Sequence, residues 1–239
     1  MKKAICLLVC VMNVWLASAQ KKWVEDGNVE LRAINGPFNA IRVSGGIQLF
    51  LSQSDEEKVA VSASDSRLVQ GIKAIVEGKT LRIFYDGEKN VYRKGRNITV
   101  YVSFRNLEMI EGSGATDLRA EDVIRVQDLS IRLSGASDFN GSVEVKNLSL
   151  DMSGASDIRI AGKSASLLIT GSGASDIKGY GLVTDYCEAR ASGASDIQVT
   201  VNKEIKANAS GASSIHYKGG AVMTDIHTSG ASSVARKDD

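Results

Sequence analysis

Apolar and polar positions alternate along much of this 239-residue chain, and the alternation is punctuated at a near-constant interval. Leu129, Ile131 and Leu133 are separated by the polar Ser130 and Arg132, and Leu148, Leu150 and Met152 by Ser149 and Asp151. The same three positions then hold Leu167, Ile169, Gly171, next Cys187, Ala189, Ala191, and next Ile205, Ala207, Ala209. A period of two places these side chains on one face of a strand, whereas a helix needs spacings of three and four. Each run ends on one short phrase. Its first copies are Ser113-Gly114-Ala115-Thr116-Asp117 and Ser134-Gly135-Ala136-Ser137-Asp138, and five more begin at Ser153, Ser172, Ser192, Ser210 and Ser229. Successive copies are 21, 19, 19, 20, 18 and 19 residues apart, and the last two carry Ser214 and Ser233 where the others have Asp. Leu118, Phe139, Ile158, Ile177, Ile197, Ile215 and Val234 follow the phrase and read as the start of a second short strand.

A repeat of this length cannot bury its apolar face alone, and stacked copies can. Equivalent Leu and Ile side chains then pile into interior ladders, with coils about 4.8 Å apart and main-chain hydrogen bonds running along the stack. The predicted fold is all-β: a right-handed parallel β-helix, or β-solenoid, of roughly 19-residue coils. The glycine frees the corner from the Cβ penalty, and Ala and Ser are small enough for a tight turn. The alternative is a sandwich of many short strands, which gives no reason to repeat one corner sequence.

Residues 20–106 differ in kind. Alternation predicts strands at 40–43, 47–51, 59–63, 72–76, 81–85 and 98–104, with a hairpin turn at Glu77-Gly78-Lys79 and a polar loop over 85–95. Gly45-Gly46 has the look of a degenerate first corner. The expected organisation is therefore a signal peptide over 1–19, an irregular β region over 20–106 capping the stack, the solenoid over 107–235, and a polar tail over 236–239. No helix is predicted. The leader has charged Lys2 and Lys3, an apolar Ile5–Leu16 core and an Ala17-Ser18-Ala19 cleavage site. Val9 before Cys10 argues against a lipid anchor. Export to the periplasm, cell surface or medium follows, with no membrane-spanning segment after cleavage.

Loss of Lys2 and Lys3 with the leader takes the formal charge from +1 to −1. That balance excludes a basic footprint for nucleic acid. Cys187 is then the one remaining cysteine, aligned with aliphatic positions and read as a buried apolar residue. Asp117, Asp138, Asp157, Asp176 and Asp196 would form a row that Ca²⁺ could bridge. Like charges about 5 Å apart repel by roughly 1 kcal/mol even in water. Arg119, Arg159 and Lys178, each two residues after an Asp, or backbone N–H groups at the corner, offset this without a metal. The serines lack a Gly-x-Ser-x-Gly elbow, and His216 and His227 sit at polar positions of the alternation. Gly162-Lys163-Ser164, Gly78-Lys79-Thr80 and Gly171-Ser172-Gly173 fail the spacing of nucleotide motifs. The expectation is no catalytic, cofactor-binding or metal residues and no cofactor.

The pattern Phe38-x-x-Ile41-x-Val43-Ser44-Gly45-Gly46-Ile47-x-Leu49, with the serial Ser-Gly-Ala-Ser-Asp corners behind a signal peptide, resembles the GIN-domain family. These are auto-transporter adhesin heads of Gram-negative bacteria, frequent in gut Bacteroidetes. The likeness spans about 38–234. It implies a β-helix-like fold, an adhesive or surface role and no established catalytic residues. The chain itself shows no set of barrel strands. The function expected is an exported, non-enzymatic binding scaffold whose partner is an extracellular glycan or protein, or another copy of itself. Trp23, Tyr180, Tyr186 and Tyr217 are the rings available to stack on a sugar. A polysaccharide-active β-helix enzyme and a structural envelope component are the alternatives.

Overall fold

A computed structural model describes residues 29–87 and 97–238. The leader, Trp23 and most of the 85–95 loop lie outside them. The first strands are β1 (Glu30–Arg32), β2 (Ala40–Gly45), β3 (Ile47–Gln53) and β4 (Lys58–Ala63). After the helix α1 (Ser66–Val69) come β5 (Ile72–Glu77), β6 (Thr80–Tyr85) and β7 (Ile98–Phe104). The corner-bearing part then runs through β8 (Met109–Gly114), β9 (Asp117–Ala120), β10 (Ile124–Gly135), β11 (Asp138–Met152) and β12 (Asp157–Gly171). It closes with β13 (Asp176–Ala191), β14 (Asp196–Ala209), β15 (Ser214–Lys218), β16 (Val222–Thr228) and β17 (Ser233–Arg236).

From β8 onward every pairing is parallel, and its register is the sequence repeat. Leu129 pairs with Leu148, Leu148 with Leu167, Leu167 with Cys187, and Cys187 with Ile205. After the corner, Leu118, Phe139, Ile158, Ile177, Ile197, Ile215 and Val234 form a second continuous column. This is the β-solenoid that the repeat predicts. The coil runs as three paired segments, seen in the third copy at Asp157–Arg159, Gly162–Ser164 and Ser166–Gly171. The alternating aliphatics all point to the shared interior: Leu129, Ile131, Leu133, Phe139, Val143, Leu148, Leu150 and Met152 are buried. Removing that apolar surface from water is the main stabilising term, and stacking lets short strands share it.

The N-terminal region is partly solenoid and partly not. β2 lies parallel to β8 with Ile41 on Ile110 and Gly45 on Gly114, and β3 lies parallel to β9 with Leu49 on Leu118. Val43-Ser44-Gly45-Gly46-Ile47 therefore turns the first corner of the stack. Above it β6 and β7 continue the parallel stack on β2 and β3, and the pattern then breaks into antiparallel pairs: β6 with β5 through the predicted hairpin turn, and β7 with β4, which in turn carries β1. The short β1 and helix α1 are the elements of this region that alternation does not anticipate. Asp65 caps the helix by accepting the Arg67 backbone N–H at 3.0 Å, and its Leu68 and Val69 are buried.

Candidate functional site

The repeated phrase makes one turn, and each of its residues has a separate mechanical task. The glycine has positive φ in every copy, 82° at Gly154 and 74° at Gly193, a region where other residues are strained. A Cβ on Gly193 would also sit 2.5 Å from the carbonyl oxygen of Gly173 in the coil above. The alanine donates its N–H to that same oxygen of the preceding copy, at 2.7 Å from Ala136 to Gly114 and 2.8 Å from Ala174 to Gly154. The residue after it, Ser or Thr, turns inward and is buried in Thr116, Ser137, Ser156, Ser175, Ser195 and Ser213. Each of these serines donates its hydroxyl to the carbonyl of the first Ser of its own phrase, at 2.8 Å from Ser137 to Ser134 and 2.7 Å from Ser195 to Ser192. A buried hydroxyl must find such a partner, and here it closes the turn from within. The fifth position donates its N–H to the buried residue of the coil above, as Asp138 does to Thr116 at 2.8 Å.

The Asp row is real and lies in register. Gln48, Asp117, Asp138, Asp157, Asp176, Asp196, Ser214 and Ser233 follow one another down the outer face. Two columns over run Phe50, Arg119, Asn140, Arg159, Lys178, Gln198, His216 and Ala235. Asp117 is held by Arg119 at 2.7 Å and by the Gln48 side-chain amide at 3.2 Å. Arg159 reaches Asp157 at 3.5 Å, and His216 Nδ1 lies 3.5 Å from Asp196 Oδ1. Asp138 has Asn140 where its neighbours have a cation. Its carboxyl is pushed above the usual carboxylate range, first by partial burial and then by the charges of Asp157 and Asp117. Among the described residues no three carboxylate, imidazole or thiol groups converge as metal ligands.

The other candidates fall on opposite sides of the wall. His227 is exposed and bonded to Asp225 at 2.9 Å, so both histidines have carboxylates as neighbours. Cys187 is buried, free and surrounded by apolar groups that push its thiol up to about 12, which leaves it inert at physiological pH. Tyr186 is half exposed with Lys203 over its ring at 5.5 Å, and Tyr180 carries Lys218 at 5.4 Å. Tyr217 corrects the expectation of an exposed ring. It stacks beneath Val199 two residues after the inward Ile215, so the alternation turns it into the core, where it is 2 % exposed. Sequence reading also missed an aromatic patch near the N-terminal end, where Phe50 and Tyr101 stack with centroids 5.2 Å apart and Arg119 lies 6.0 Å above Phe50. An open groove on the flank is lined by Val126, Gln127, Glu144, Val145, Lys146 and Lys163. No described helix is long and apolar enough to cross a membrane.

The same architecture occurs in solved structures that share little sequence with it. A putative adhesin from Bacteroides fragilis NCTC 9343 superposes with a TM-score of 0.81 at 20 % identity, over 87 % of this chain and 96 % of that one. A putative adhesin from Parabacteroides merdae ATCC 43184 gives 0.69 at 18 % identity, over 89 % and 98 %. A protein described as putative lipid binding, from Parabacteroides distasonis ATCC 8503, gives 0.65 at 20 % identity, over 89 % and 98 %. No curated protein matches the chain by sequence. Residues 37–221 match the family described as "Putative auto-transporter adhesin, head GIN domain", from the first stacked strand to the loop before β16. With β2 through β15 and every corner but the last inside that span, the chain belongs to the GIN-domain family.

Proposed function

We propose that the protein is an exported, non-enzymatic binding scaffold that works as an adhesin at the periplasmic or outer face of the cell envelope. The observation that carries this reading is the family membership over 37–221. The arrangement of polar groups supports it. The inner serines are spent on their own turns, and the Asp row recurs with the structural period rather than interrupting it. A catalytic cluster would break the ladder at one place to bring an acid and a base together. The straight outer faces instead offer long rows of evenly spaced side chains, suited to an extended ligand such as a glycan or a protein strand. In this reading residues 20–106 serve as the cap of the stack. Binding of the purified chain to a glycan and matrix-protein array is the test. Saturable binding to one class, with no turnover of acidic polysaccharides, is expected. Turnover that is lost in Asp157→Ala would overturn the non-enzymatic reading.

A further inference from the structure

The two ends of the stack are finished differently. At the N-terminal end β6 and β7 lie parallel on β2 and β3 and carry the antiparallel β5 and β4, with the three-residue β1 and helix α1 against β4. A three-residue edge strand such as β1 is a poor template for another chain, although β5 keeps an unpaired outer side among the described residues. At the other end β16 pairs with β14 and β17 with β15, and among the described residues neither has a strand on its outer side. The interior columns also stop there in the open. Met223 continues the column of the buried Ile205 and is 51 % exposed. Ile226 lies under Ala207 and Val234 under Ile215, and both are only half covered. Val222, beside them, is 64 % exposed. An unpaired backbone edge thus borders the exposed floor of the core.

The polar residues of β16 say what fits it. Asp225 and His227 flank Ile226 and share the outer face of the strand, aligned with Lys206 and Asn208 above. Lay a second β16 antiparallel to the first with the two-fold axis through Ile226. Asp225 of each copy then faces His227 of the other, and Ile226 meets Ile226 on the inner side. Centring the pair on Asp225 or His227 instead sets Asp against Asp or His against His and turns Ile226 away from a like partner. Rotation about an axis normal to this wall keeps the interiors of both copies on the same side of it, so the two open floors face one another. Isologous pairing of this kind is how identical chains most often close. We propose that the chain dimerises end to end through antiparallel β16–β16 pairing centred on Ile226, with reciprocal Asp225–His227 contacts between copies.

Sedimentation of the wild-type chain, of His227→Asp and of Asp225→His tests this directly. The wild type is expected to be a dimer at concentrations on the order of 10 µM, and each variant at least about tenfold weaker in self-association. His227→Asp places carboxylates at both positions flanking Ile226, and Asp225→His places imidazoles at both. Mixed in equal amounts, the two variants therefore set carboxylate against imidazole at each contact, and the dimer should return as a heterodimer. That recovery also shows that both variants fold. A wild type that stays monomeric, single variants that dimerise like it, or a mixture no tighter than its components would each overturn the proposal.

Discussion

The corners and the interior columns are packed by the same chain at the same spacing, yet they obey different rules. Down the corner the sequence hardly varies: Ser-Gly-Ala-Ser recurs from Ser134 to Ser232, with Thr116 as the one exchange at the buried position. Down the wall the column Ile110, Ile131, Leu150, Ile169, Ala189, Ala207, Ile226 changes size freely. The corner is fixed by backbone geometry and hydrogen bonds, which admit one solution. The interior is fixed by summed volume, which several columns can share. Where one wall narrows to Ala189, Ala191, Ala207 and Ala209, the others supply Leu182, Val199, Val201 and Tyr217, all buried. At Gly141 the ring of Phe139 fills the vacated space, since a Cβ there would lie 3.0 Å from it.

The comparison can be broken by substitution. Gly154→Ala adds one carbon at a corner with φ of 82° and drives it into the Gly135 carbonyl, so it should cost about 4 kcal/mol or prevent folding. Ile169→Ala removes three carbons from the fully buried wall and should cost about 3 kcal/mol, read as a lower urea midpoint with unchanged slope. Adding one carbon outside the core would then hurt more than deleting three within it. If Gly154→Ala is the milder change, the corner is not the constraint it is taken to be. Ser156→Ala leaves the Ser153 carbonyl without its 3.0 Å donor and should cost about 1–2 kcal/mol.

Asp138→Asn sharpens the contrast from the outer face and should have the smallest effect. The folded-state pKa of Asp138 is raised, so ionisation is less favourable in the folded than in the unfolded chain. Stability is therefore lost as pH rises from the ordinary carboxylate pKa through the folded value. The Asn variant should melt slightly higher than wild type at about pH 7, and the gain should vanish at about pH 3, where both chains are neutral at this site.

The repeat makes most of this architecture readable. Spacing alone places the parallel register, because one turn sequence recurring every 19 or so residues leaves the aliphatics between copies only one way to align. Strands 40–43 through 98–104 are legible from alternation, and Gly45-Gly46 from its likeness to later corners. The inward Ser156 and its equivalents are not legible, since a hydroxyl in a turn looks solvated until the turn closes around it. Tyr217 misleads for a related reason: its phenol suggests the surface, while its place two residues after Ile215 dictates the core. The four residues of α1 are too few to carry a helical period. The Arg119 and Arg159 partners of Asp117 and Asp157 follow from the i, i+2 spacing, but the influence of Asp157, Asp117 and Arg159 on Asp138 depends on which residues the stack sets beside it.

The claim beneath all of this is that successive corners stand directly above one another. Nitroxide labels on the exposed corner alanines of a cysteine-free chain measure it by pulsed dipolar spectroscopy. With one label at Ala136 and the other at Ala194, Ala212 or Ala231, the separation should grow by about 4.8 Å with each coil. Distances that fail to increase in copy order would contradict the stack.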